Sequence, residues 1–197
     1  MKNTVNNLQK TSWFELCCLF GIPTILNYIA SQLVIPYLYR SISLPIEIIY
    51  FLSVGLLVLI PMFVGAIWLS GREIGSYRIK DLLFRMRIFK LSGSDLIWTI
   101  CTFAFLVFTS YIIAKILMPA LDIDATPFFF QNMPLDNDTF WVIYIWPLFF
   151  FFNIFGEEFL WRGYIQPRQE LLNNNWTWFV HGLFWAFWHL PMGWDHH

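Results

Sequence analysis

The chain has 197 residues and a net charge of −1, and it is 58% hydrophobic, 21% aromatic and only 13% charged. Soluble domains carry about a quarter charged residues, so the composition excludes an ordinary water-soluble fold and speaks against a nucleic-acid partner. The expected class is all-α, a polytopic transmembrane helical bundle forming a single membrane-embedded domain over 1–197. Cys17, Cys18 and Cys101 lie in apolar surroundings without C-x-x-C spacing, against a zinc or disulfide framework. Buried, inert thiols are expected, with palmitoylation of Cys17 or Cys18 as an alternative.

The N-terminal residues are polar and lack a cleavage-site pattern, so the first span is expected to act as its own insertion signal. A spanning helix needs roughly 20 mostly apolar residues. Five stretches qualify: Trp13 to Leu38, Ile46 to Leu69, Leu96 to Met118, Phe140 to Tyr164 and the shorter Trp176 to Pro191. Kinks are expected near Pro23 and Pro61, where neighbouring groups must satisfy the freed carbonyls. Six of the twelve Lys and Arg residues fall between Arg72 and Lys90, whereas Asp122, Asp124, Asp136 and Asp138 crowd a stretch without a basic residue. An excess of Lys and Arg marks cytoplasmic loops, which places Arg72 to Lys90 and the N-terminus inside, and the loop from Pro119 to Asp138 outside. Within the basic stretch, Ile79, Leu82, Leu83, Met86 and Phe89 recur at helical spacing. It reads either as an interfacial amphipathic helix or as a solvated connector that only fixes orientation.

The segment F-G-E-E-F-L-W-R-G-Y-I-Q, residues 155–166, carries the unusual chemistry. Ionisable groups inside a membrane segment are expensive and mark a function by default. Glu158 and Arg162 are four apart on one helical face and can neutralise each other. Glu157 lies about 100° round the helix, with Trp161 one turn on, and has no such partner. A desolvated, unpaired carboxylate suits general acid–base work, although Glu157 could instead sit hydrated at the interface. Reflection of Glu157 across the turn Asn173-Asn174-Asn175 lands two residues from His189. A Glu and a His facing each other across a helical hairpin form a water-activating pair. His181, two turns before His189, reads as a polar contact between helices.

Glu157-Glu158-x-x-x-Arg162-Gly163, followed by Trp185-x-x-x-His189-Leu190-Pro191, resembles the first two motifs of the CPBP intramembrane proteases. That family includes the CAAX prenyl endopeptidases and bacterial proteins linked to bacteriocin processing or self-immunity. The resemblance covers roughly 140–192. It implies an endopeptidase of the bacterial plasma membrane, acting on a membrane-associated peptide that can be prenylated. Glu157 would be the base that activates water, His189 its partner, and Glu158 and Arg162 supporting groups. Trp185 stands where the family usually has Phe, and with Trp161 it would wall the substrate pocket. The family's third motif, a later H-x-x-x-N or H-x-x-x-D, is missing, so the chain reads as C-terminally incomplete or as a natural short form, with truncation the expectation. Loss of an oxyanion donor typically costs about 10² to 10³ in rate. No cofactor is assigned. Zinc held by Glu157, Glu158 and His189 would satisfy the usual three-ligand requirement, but H-E-x-x-H spacing is lacking. The alternative function is non-catalytic, as a bacteriocin self-immunity factor or a partner-binding bundle. The residues leave open which of Glu157 and Glu158 is the base.

Overall fold

The structure, a computed structural model, describes residues 8–121 and 142–193. The regular structure among them is helical throughout. Helix α1 spans Trp13–Ser41, α2 Ile46–Ile74 and α4 Gly93–Ala120, each long and apolar enough to cross a membrane. Between α2 and α4 lies the short α3, Ile79–Arg85. Helix α5 runs continuously over 142–173, and α6 is Thr177–Gly193. The acidic loop around Asp122 to Asp138, the start of the fourth span and the stretch from Trp194 to His197 lie outside the described residues.

Local chemistry explains the ends. Ser12 caps α1 by accepting from the Glu15 N–H at 3.1 Å, with Glu15 itself in the first turn, where the helix dipole favours an acid. Ser92 and Asp95 form a reciprocal capping box at the start of α4, satisfying two otherwise orphaned donors. Gly75 closes α2 with a φ of +67°, a left-handed conformation that glycine adopts without a Cβ penalty. At the hairpin between α5 and α6, a single 3-10 turn over Asn174–Trp176 reverses the chain.

Four of the long helices widen into π-helical turns, and each widening ends two residues before a proline. Ile29–Val34 precedes Pro36, Gly55–Leu59 precedes Pro61, Ile113–Leu117 precedes Pro119, and Phe159–Ile165 precedes Pro167. Proline has no N–H, and its ring clashes with the carbonyl four residues earlier. Opening the preceding turn relieves the clash; before Pro167, for instance, the Gln166 N–H reaches back five residues to the Trp161 carbonyl. The distortion expected at Pro61 is thus present, whereas α1 stays regular through Pro23 and widens at Pro36.

The core gathers Leu16 and Phe20 of α1, Val58, Leu59 and Met62 of α2, Trp161 and Ile165 of α5, and Trp188 of α6. Helix α1 packs along α6, and α2 along α5. Polar side chains join the first pair: Asn27 Nδ2 donates to the Trp188 carbonyl at 2.9 Å and Gln32 Nε2 to the Pro191 carbonyl at 2.5 Å. The basic stretch is more than a solvated connector, because Leu82, Arg85 and Met86 are buried while Ile79 is exposed. The cysteine expectation needs correcting. Cys17 and Cys101 are exposed and Cys18 is half-buried, since α1 turns only one stripe inward and α4 buries none of its residues.

Candidate active site

Two helices build the site. Helix α5 brings Glu157 inward at 7% exposure, and Gly156 beside it makes this approach tight. A Cβ at Gly156 would stand 2.7 Å from the Leu59 carbonyl oxygen of α2. Small residues let helix backbones come together in this way inside membranes. Glu158, one step round the helix, turns outward and forms an ion pair with Arg162, the side chains being 44% and 53% exposed. Glu157 and Glu158 therefore occupy different surroundings, one packed among aromatic rings and one on an outer face with its own counter-charge. Among the described residues, Glu157 has no cation within ion-pair distance.

The neutral indole of Trp185 serves Glu157 instead, Nε1 donating to Oε2 at 3.2 Å. Trp161, one turn on from Glu157, is wholly buried, and its Nε1 makes no hydrogen bond among the described residues. Of the two rings expected to wall a pocket, Trp185 thus meets the carboxylate directly. From α2, Tyr50 packs against Phe149 of α5, with ring centroids 5.7 Å apart.

His189 sits one turn beyond Trp185 on α6. Its ring packs edge-on against Trp185 and Trp188, with centroids 4.2 and 4.4 Å apart. Nδ1 lies 2.9 Å from the Trp185 carbonyl, and a carbonyl only accepts, so Nδ1 carries the proton in this contact. Nε2 of a neutral ring is then left with its lone pair. No hydrogen bond joins Glu157 to His189 among the described residues; Trp185, in contact with both, stands between them. Reflection at a uniform 1.5 Å per residue takes no account of the π-helical stretch Phe159–Ile165, which lies between Glu157 and the turn. Nearer the turn, His181 Nδ1 meets Gln169 Oε1 at 2.9 Å across the same hairpin, a contact between helices.

Sequence reasoning missed Gly156 as a packing residue and Trp185 as a donor. Glycine directly before two acids was an available signal for close helix approach. The indole N–H was a recognisable donor only once the hairpin register was known. Among the described residues no three His, Cys, Asp or Glu side chains converge, and Glu158 pairs with Arg162.

Fold and site together define the class: an all-α membrane bundle with a buried carboxylate and a histidine on neighbouring helices. Residues 139–196 match the family model described as Type II CAAX prenyl endopeptidase Rce1-like. This C-terminal part of the chain, which holds Glu157, Trp185 and His189, is thus similar to that family. No curated protein and no solved structure matches the chain.

Proposed function

We propose that this protein is an intramembrane endopeptidase of the CAAX-protease type, cleaving a peptide bond in a membrane-associated, lipidated substrate. Glu157 is the general base. It takes a proton from a water molecule as the water oxygen attacks the scissile carbonyl, and later passes that proton to the departing amine. Trp185 orients the carboxylate, and the free Nε2 of His189 accepts a hydrogen bond from the same water or from the substrate. Glu158 and Arg162 support the helix that presents the base. The observation that carries this reading is the division of labour between adjacent acids: Glu158 is paired with Arg162, whereas the buried Glu157 meets only a neutral donor from the helix of His189.

The test is hydrolysis of a prenylated peptide by the protein in lipid nanodiscs, comparing wild type with Glu157→Ala and His189→Ala. Both variants should insert normally and lose turnover; retention of full activity by both would exclude this site. A second reading, a non-catalytic bundle such as a self-immunity factor, draws on the fact that the bond from Trp185 to Glu157 also ties α5 to α6. In that case wild type shows no hydrolysis, and Glu157→Gln lowers thermal stability alone.

A further inference from the structure

The helix that presents Glu157 is gripped on both sides of its charged residues. On one side Gly156 rests on the Leu59 backbone. On the other, Gly163 faces α3, where a Cβ would stand 3.1 Å from both Cβ and Cγ of Met86. The carbonyl of Gly163 has a particular need. In a regular helix it would accept the N–H of residue 167, but Pro167 has none to give. A buried carbonyl without a donor is costly, so the donor that Pro167 cannot supply has to come from outside α5.

Arg85 supplies it. Its Nη1 donates to the Gly163 carbonyl at 3.0 Å, and its side chain is only 3% exposed. The rest of the guanidinium is fixed in turn. Nε and Nη2 both donate to Glu73 Oε2, at 2.8 and 2.5 Å, and the group lies over the Tyr164 ring with 5.4 Å to the centroid. Arg168 covers the same ring at 5.0 Å and pairs with Glu15 of α1 at 2.8 Å. A planar fork with donors on two edges suits this bridging, whereas an ammonium could occupy only one end. Glu73 ends α2, the same helix whose Leu59 meets Gly156, so both grips refer α5 to one neighbour.

We propose that Arg85 is a positioning residue for the Glu157 site, its guanidinium holding the Gly163 carbonyl that Pro167 leaves without a donor and so fixing the rotation of the segment bearing Glu157, Glu158 and Arg162. Its kinetic consequence rests on the peptidase reading; its structural consequence does not.

The test is a cycle of wild type, Arg85→Ala, Pro167→Ala and the double variant in nanodiscs, repeated with Arg85→Lys, whose milder change keeps one donor. Amide hydrogen exchange over 157–166 is read in every form, with kcat and KM on a prenylated peptide. Arg85→Ala should raise exchange over 157–166 about tenfold and lower kcat about tenfold, the size of one charge-assisted hydrogen bond, with KM unchanged within about twofold. Arg85→Lys should fall between. Where Pro167→Ala restores an N–H at position 167, the Gly163 carbonyl has a second donor, and loss of Arg85 should alter exchange less than about twofold. An equal effect of Arg85→Ala and Arg85→Lys with and without Pro167, or a loss of protection confined to α3, would overturn the assignment. A wild type that does not hydrolyse the peptide would sink the peptidase reading while the exchange cycle still decides Arg85. Hydrolysis without coupling would do the reverse.

Discussion

Helices α4 and α5 invert the rule learned from soluble proteins. Helix α4 is among the most apolar stretches of the chain, yet none of its residues is buried. Helix α5 carries Glu157, Glu158, Arg162 and Arg168 and still places Trp161, Ile165, Gln169 and Pro167 among the most deeply enclosed side chains. Lipid chains are as apolar as leucine, so an apolar helix in a bilayer gains no hydrophobic drive toward a protein partner. Polar groups have no such freedom, and each must find a partner within the protein. The charged helix is therefore enclosed, and the apolar one buries none of its residues.

The contrast can be sharpened by substitution. The largest effect should come from Glu157→Gln, which removes the proposed base and should lower hydrolysis by about 10² to 10⁴, measured as initial rate on a prenylated peptide. Glu158→Gln should leave much more of the rate. Packing comes next. Ile165→Ala on α5 should cost near the low end of about 2–5 kcal/mol, whereas Ile100→Ala on α4 should stay within about 0.5 kcal/mol. Thermal unfolding in nanodiscs reads both, and equal costs would break the comparison. Gly156→Ala places a methyl against the Leu59 carbonyl and should destabilise by about 1–3 kcal/mol on the same assay. Trp185→Phe keeps a ring but deletes the donor to Glu157, so turnover should drop by about tenfold, the equivalent of one hydrogen bond to a charged group, with KM little changed. The smallest effect belongs to Arg162→Ala, which breaks a half-exposed ion pair worth about 0–1 kcal/mol; its unfolding temperature should barely move.

The long spans, the hairpin turn at Asn173 to Asn175 and the pairing of Glu158 with Arg162 were legible because each depends on neighbours within a few positions. The i,i+4 geometry that joins Glu158 to Arg162 holds for any helix. The contact of Glu157 was not legible in the same way. Its level and heading depend on the π-helical stretch Phe159–Ile165, and although Pro167 is visible in the chain, how the helix answers it is not. Likewise Arg85 read as one of several loop cations. Its burial between Glu73 and Gly163 appears only when α2, α3 and α5 are assembled.

The amino-acid sequence alone determined that this protein is a helical membrane bundle, because lipid admits few ways to satisfy an apolar chain's backbone. It also singled out Glu157, since Glu158 had a partner one turn away. Tertiary structure decided what Glu157 meets. It set Trp185 at the carboxylate and His189 one turn further along α6, through the widened turn before Pro167. It also brought Arg85 to donate to the Gly163 carbonyl, four residues before this proline. These contacts join residues distant in the chain, so their geometry is fixed by helix packing rather than by local spacing.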